Sequence, residues 1–235
     1  MTLDQIMSHL EQMGSAQTKK TFLRHGAREP FFGVKVGDLK TIQKKIKHNH
    51  DLALQLYNTG NSDAMYLAGL ISEPQKMSKA ELQHWAEQAH WYMISEYTVA
   101  WTAAESNYGA ELAREWMQSD QEHIASTGWA TWSSLVAIKP DAELDVNELD
   151  ALLNKIAKEI HQAPNRVRYT MNGFVISVGT YVKSLLEKSK EVAKNIGKVE
   201  VEMGGTACKV PFAPDYIAKV EKADRIGRKR KTAFC

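Results

Sequence analysis

The residues best suited to chemistry lie between positions 85 and 101, where Trp85, Trp91, Tyr92, Tyr97 and Trp101 fall within 17 residues with Glu96 among them. Aromatic walls hold a nucleobase or a cationic purine by stacking and cation–π attraction. A carboxylate beside them can stabilise the positive charge that develops on a sugar as an N-glycosidic bond breaks. The same residues also fit a packed core, with Glu96 as a polar anchor bonded to a neighbouring Tyr or Trp. Trp116, Trp129 and Trp132 follow, and Phe174 comes later, just after Gly173.

A second constellation is Asn165-Arg166-Val167-Arg168-Tyr169, preceded by Pro164. Proline there marks a helix N-terminus, whose free amides favour an anion, and Arg166 and Arg168 add fixed positive charge. A phosphate contact is one reading, and pairing with a carboxylate such as Glu159 is the other. The third feature is the run Arg228-Lys229-Arg230-Lys231 near the end of the chain. Basic ends bind phosphates without reading sequence. A purely solubilising end is the alternative. No phosphate-binding glycine loop is present, and the eight His and two Cys (Cys208, Cys235) have no metal or disulfide spacing. Neither a metal nor a cofactor is expected.

Helical periodicity supplies the elements that must position these groups. Leu3, Ile6, Met7 and Leu10 share one face, as do Leu39, Ile42 and Ile46 behind a capping Asp38. Leu52, Leu54 and Leu56 lead to a break at 58–61. Ala64, Leu67, Ala68 and Ile71 form the next helix, which stops before Pro74. Ser78 with Glu81 is a capping box opening a helix through Leu82, Trp85 and Ala89. Further helices are expected over 94–105, 109–118, 120–137, 146–161, 165–178 and 180–194. Helices of similar length with short breaks suggest stacked pairs, with a compact bundle as the alternative. Beyond residue 195 the pattern changes. Residues 198–202 alternate polar and apolar, Gly204-Gly205 follows, and 206–210 can return as a short C-terminal β-hairpin. Pro214 can start a last helix through Tyr216, Ile217 and Val220. The expected organisation is a helical domain over 1–195 and a basic extension over 196–235 packed on it.

The chain has 235 residues and a formal charge of +2, unevenly spread. Residues 194–235 hold ten Lys/Arg against five Asp/Glu, whereas the first 193 residues are net −3. A near-neutral body with a basic end fits an acidic partner such as nucleic acid. No apolar run reaches the ~18 residues that a membrane span needs. The first 14 residues carry Asp4, His9 and Glu11 and do not resemble a signal peptide. A monomeric cytoplasmic protein without membrane contact is expected.

The order of these features resembles a known family. Phe31-Phe32-Gly33-Val34 followed by Asp38-Leu39-Lys40, and Leu52-Ala53 to Gly60 leading into Ala64, are similar to the opening of AlkD-type DNA alkylation-repair proteins. Trp91-Tyr92-Met93-Ile94-Ser95-Glu96 resembles the stretch where active members of that family place Trp residues and a catalytic Asp. The end of the chain, from Ala207-Cys208-Lys209-Val210-Pro211 to Gly227–Thr232, resembles a subgroup of the same proteins. The resemblance implies an all-α superhelix of HEAT-like repeats whose concave basic face holds DNA. It also implies, for active members, excision of cationic purines such as 3-methyladenine and 7-methylguanine without metal or deep base flipping.

Three departures bear on activity. Glu96 stands where active members carry Asp, Ser126 or a near neighbour where they carry a DNA-contacting Arg, and Phe174 where they carry Trp. Glu is one methylene longer than Asp, so its carboxylate moves by about 1 Å, enough to cost ~100-fold in rate. Family members without the catalytic constellation bind unusual or branched DNA instead. The expected function is therefore DNA binding with weak or absent glycosylase activity. Trp91, Tyr92, Ser126, Arg166, Arg168, Phe174, Lys209, Arg228, Lys229, Arg230 and Lys231 are its candidate contacts, and Glu96 is the candidate catalytic residue. An active alkylpurine glycosylase and a protein–protein scaffold are the rival readings.

Overall fold

A computed structural model describes residues 1–234. The helices are α1 (Leu3–Met13), α2 (Ala16–Arg24), α3 (Val36–Ile46), α4 (His50–Asn58), α5 (Ser62–Ile71), α6 (Lys79–Gln88), α7 (Ala100–Glu105), α8 (Gly109–Trp116), α9 (Glu122–Ile138), α10 (Val146–Glu159), α11 (Asn165–Tyr181), α12 (Leu186–Ile196) and α13 (Ala213–Lys222). A π-helical segment, Met93–Val99, runs directly into α7. No strand occurs among the described residues. No helix is long and apolar enough to cross a membrane.

Local chemistry explains most boundaries. Thr2 and Ser78 each close a capping box at α1 and α6, the second with Glu81 as the sequence requires. Asn49, Asn61 and Asp145 accept first-turn amides at α4, α5 and α10. Asp38 does not cap α3. The helix starts three residues earlier with Lys35 at its N-cap, and Asp38 lies in its first turn, where a carboxylate suits the helix dipole. Helix α2 has no counterpart in the periodicity because Thr18 is its single buried side chain.

The core is continuous from Ile6 in α1 to Ile217 in α13. Helices α9 and α11 pack most extensively on each other, α8 and α7 flank α9, and α12 and α13 cover the other side of α11. Gly128 lets α9 approach α8 closely, since a Cβ there would lie 2.5 Å from the Met117 amide nitrogen. Near the N-terminus, the buried Asp63 carboxylate accepts the amides of Phe32, Gly33 and Val34 at 2.6, 2.9 and 3.1 Å. That clamp ties the 31–34 loop to α5.

The expected hairpin is half present. Gly204 and Gly205 both take positive φ and make the turn, and a Cβ on Gly204 would strike the Arg24 carbonyl oxygen at 2.3 Å. The two arms do not pair as strands. Asn165 exchanges two hydrogen bonds with Glu202, and Asn172 donates to the Pro211 carbonyl at 2.8 Å. Side chains of α11 thus take up backbone groups that a β-ladder would need, and the arms open into a cleft of about 620 Å³.

Candidate functional site

The π-helical segment sets the centre of the site. Its widened turn buries Ser95, Glu96 and Thr98 and leaves Tyr97 half-buried. Glu96 is 5% exposed, yet it does not bond a neighbouring Tyr or Trp. Its partner is Arg166, at the start of α11. Nε donates to Oε1 at 2.7 Å and Nη2 to Oε2 at 2.5 Å, a bidentate fork that fits the ionised carboxylate. The guanidinium is held between two rings, with its carbon 4.4 Å from the Tyr92 centroid and 4.3 Å from that of Tyr169. Burial lifts the Glu96 carboxyl above its ordinary range, and Arg166 opposes that rise.

The N-terminus of α11 is also occupied from within the chain. The Arg166 amide donates to Glu122 Oε1 at 2.6 Å, so a carboxylate from the start of α9 sits where a phosphate was one expectation. The pairing reading of Arg166 holds, with Glu96 rather than Glu159 as the partner. Arg168, two residues on and so about 200° around α11, is partly exposed and lines the cleft between the two C-terminal arms with Lys198 and Lys209.

Three candidate contacts are core residues. Phe174 is fully buried edge-on against Trp129, at 5.5 Å between centroids. Ser126 is fully buried and its hydroxyl donates to the His123 carbonyl of its own helix. Trp91 is 5% exposed, packs on Phe22 at 5.0 Å and donates Nε1–H to the His25 carbonyl. Ser126 and Phe174 face inward on their helices, whereas Trp91, although 5% exposed, lines a pocket of about 440 Å³ with Tyr92, Arg166 and Met203. Tyr92 remains half-buried, with its hydroxyl 3.1 Å from His25 Nδ1.

A second opening on these helices is lined mostly by residues outside the candidate set. A slot of about 200 Å³ is lined by Tyr97 and Trp101 from the π-segment and α7, Ser133 and Ser134 from α9, and Tyr169 and Tyr181 from α11. Glu96, Gly173, Ser177 and Arg230 also line it. The signal was in the sequence as an i, i+4 row, Tyr169-Gly173-Ser177-Tyr181, which places two small residues between two large ones along one face of α11.

The basic end is ordered and crosses the C-terminal ends of three helices. Gly227 donates its amide to Thr180 of α11 at 2.8 Å, and Arg230 donates its amide to Ala137 of α9 at 2.8 Å. Lys229 Nζ donates to the Val136 carbonyl at 2.9 Å and pairs with Asp141 at 2.8 Å. Thr232 and the Ala233 amide both donate to Glu105, and the Phe234 ring lies 5.8 Å from that of Trp101. Cations and donors at the carbonyl ends of helices complement the helix dipole. Two of the four basic residues, Arg228 and Lys231, stay exposed, as does Lys209.

No cluster of three or more His, Cys, Asp or Glu able to hold a metal occurs among the described residues. Comparison with known proteins agrees with the architecture. A solved structure from a family described as related to the HEAT-like repeat DNA glycosylases, with affinity for branched DNA structures, superposes with a TM-score of 0.91 and 38% identity over 100% of both chains. Uncharacterised proteins of Listeria monocytogenes and Listeria innocua are each 35% identical over 225 residues, 93% of this chain and 97% of theirs. The fold is thus an all-α HEAT-like repeat array. The family model for DNA alkylation repair enzymes matches residues 6–189, and the chain belongs to that family.

Proposed function

We propose that this protein binds DNA, branched DNA in particular, and has little or no base-excision activity. The observation that carries the second half is the Glu96–Arg166 fork. A carboxylate that must stabilise a developing sugar cation has to present its charge to the substrate. Here both oxygens are already committed to a guanidinium that is itself clamped between Tyr92 and Tyr169. Removing Arg166 from that site would leave a buried uncompensated charge, which is costly.

DNA binding is supported by family membership and by the branched-DNA affinity described for the structural relative. The charge excess of the last 42 residues supports it as well. In this reading Arg168, Lys209, Arg228 and Lys231 contact phosphates, whereas Lys229 and Arg230 hold the basic end in place. The protein acts as a cytoplasmic monomer without metal or cofactor.

Release of 3-methyladenine and 7-methylguanine from a methylated duplex, with enzyme in excess, tests the excision half. Wild type and Glu96→Gln should both match the buffer control. Release by wild type that Glu96→Gln abolishes would restore Glu96 as a catalytic carboxylate and overturn this reading.

A further inference from the structure

The slot between the π-segment, α9 and α11 has features that the Glu96–Arg166 pair does not explain. Its walls are aromatic: Tyr97 and Trp101 on one side, Tyr169 and Tyr181 on the other. Its floor is built from small residues of α9 and α11, namely Ala130, Ser133, Ser134, Gly173 and Ser177. Gly173 leaves open space, since a Cβ there would meet nothing within 4 Å. Tyr169 and Tyr181 stand three helical turns apart, about 18 Å along α11. The Tyr97, Tyr169 and Tyr181 side chains are half-buried, and burial pushes the Tyr97 and Tyr169 phenols up, so they stay neutral hydroxyls.

Both ends of the slot carry ionic side chains that are already partnered within the chain. At one end lies the Glu96 carboxylate, forked to Arg166, and at the other lies Arg230, whose Nη2 donates to the Phe234 carbonyl. A flat, uncharged ring can stack on one of these aromatic side chains, since every base offers a π-face. The volume of about 200 Å³ is below the ~300 Å³ at which drug-sized pockets begin, which restricts the ring to a small one.

We propose that this slot receives a single unpaired nucleobase. The inference rests on the DNA-binding reading and adds to it the chemical class that the site selects. Branched DNA offers such a base at the junction, where strands part and stacking is already interrupted. A continuous duplex offers none without first breaking a pair, which costs it a few kcal/mol. The slot would thereby favour branch points over linear duplex.

The test uses the full chain and a DNA three-way junction carrying one unpaired 2-aminopurine at the branch. Stacking on an aromatic ring quenches that probe. Wild type should quench it on binding and should bind the junction more tightly than a fully paired duplex of equal length. Gly173→Leu fills the slot from a helical position with room for a side chain, so the fold is retained. It should lose the quench and weaken junction binding by roughly 10-fold, in line with the loss of one stacked base. Tyr97→Ala should lose quench in the same direction. Junction binding with no quench in wild type, or with full quench in Gly173→Leu, would overturn the slot while leaving DNA binding standing. No binding to either DNA would overturn both readings together.

Discussion

Glu96 and Arg166 meet across 70 residues of chain in a two-point fork of 2.7 and 2.5 Å, with the arginine stacked between Tyr92 and Tyr169. The pair joins the π-segment to α11 and neutralises the one carboxylate that lies among aromatic rings. Its removal has asymmetric consequences. Arg166→Ala leaves a buried carboxylate unpaired and should cost about 3–5 kcal/mol in urea denaturation. The double variant Glu96→Leu with Arg166→Met replaces the pair by apolar groups and should lose far less. A double variant as unstable as Arg166→Ala would show that packing of the guanidinium, and not charge pairing, dominates.

The basic end should matter for stability before it matters for DNA. It supplies backbone donors to Thr180, Ala137 and Glu105, and a lysine to the Val136 carbonyl. Removing residues 225–235 should lower the thermal midpoint by at least about 5 °C, the shift expected for a loss of roughly 2 kcal/mol in a chain of this size. Lys229→Ala alone should cost on the order of 1 kcal/mol. An unchanged midpoint for the truncation would mean that these contacts contribute nothing net.

Asp63 is a structural carboxylate with three backbone donors and 2% exposure. Asp63→Ala strands those amides in the core and should cost at least about 3 kcal/mol, since each unsatisfied buried donor costs ~1–3 kcal/mol. Hydrogen exchange should then accelerate at Phe32, Gly33 and Val34. Unchanged exchange at those amides would remove Asp63 as the element that fixes the loop.

Acid should weaken the fold through His123. Burial lowers its pKa from 6.5, and its ring sits 4.8 Å from that of His90. The folded state therefore binds fewer protons than the unfolded one just below that pH, and stability falls as pH drops through about 6.5. His123→Gln should flatten the stability profile between pH 7 and 5. A profile as steep as that of wild type would assign the acid response to other groups.

Much of this was legible in the sequence, for local reasons. The Ser78–Glu81 capping box and the Gly204-Gly205 turn depend on residues within a few positions of each other, and both occur as read. What depended on distant partners was not legible. Nothing near Glu96 announces Arg166, and nothing near residues 198–210 announces that Asn165 and Asn172 would take the hydrogen bonds of a hairpin. Ser126 and Phe174 lay on the right helices but on their inward faces, and the outward faces carry Ser133, Ser134, Tyr169 and Gly173 instead. Helix α2 escaped notice because it buries one threonine and presents no apolar stripe.

DNA binding is tested most directly by the equilibrium affinity for a DNA four-way junction between 50 and 200 mM salt. Four phosphate contacts, from Arg168, Lys209, Arg228 and Lys231, give a logarithmic slope of about −3.6 and a loss of roughly 150-fold across that range. A loss of that size or larger is the predicted result. Absent binding, or an affinity that does not change with salt, would contradict the account.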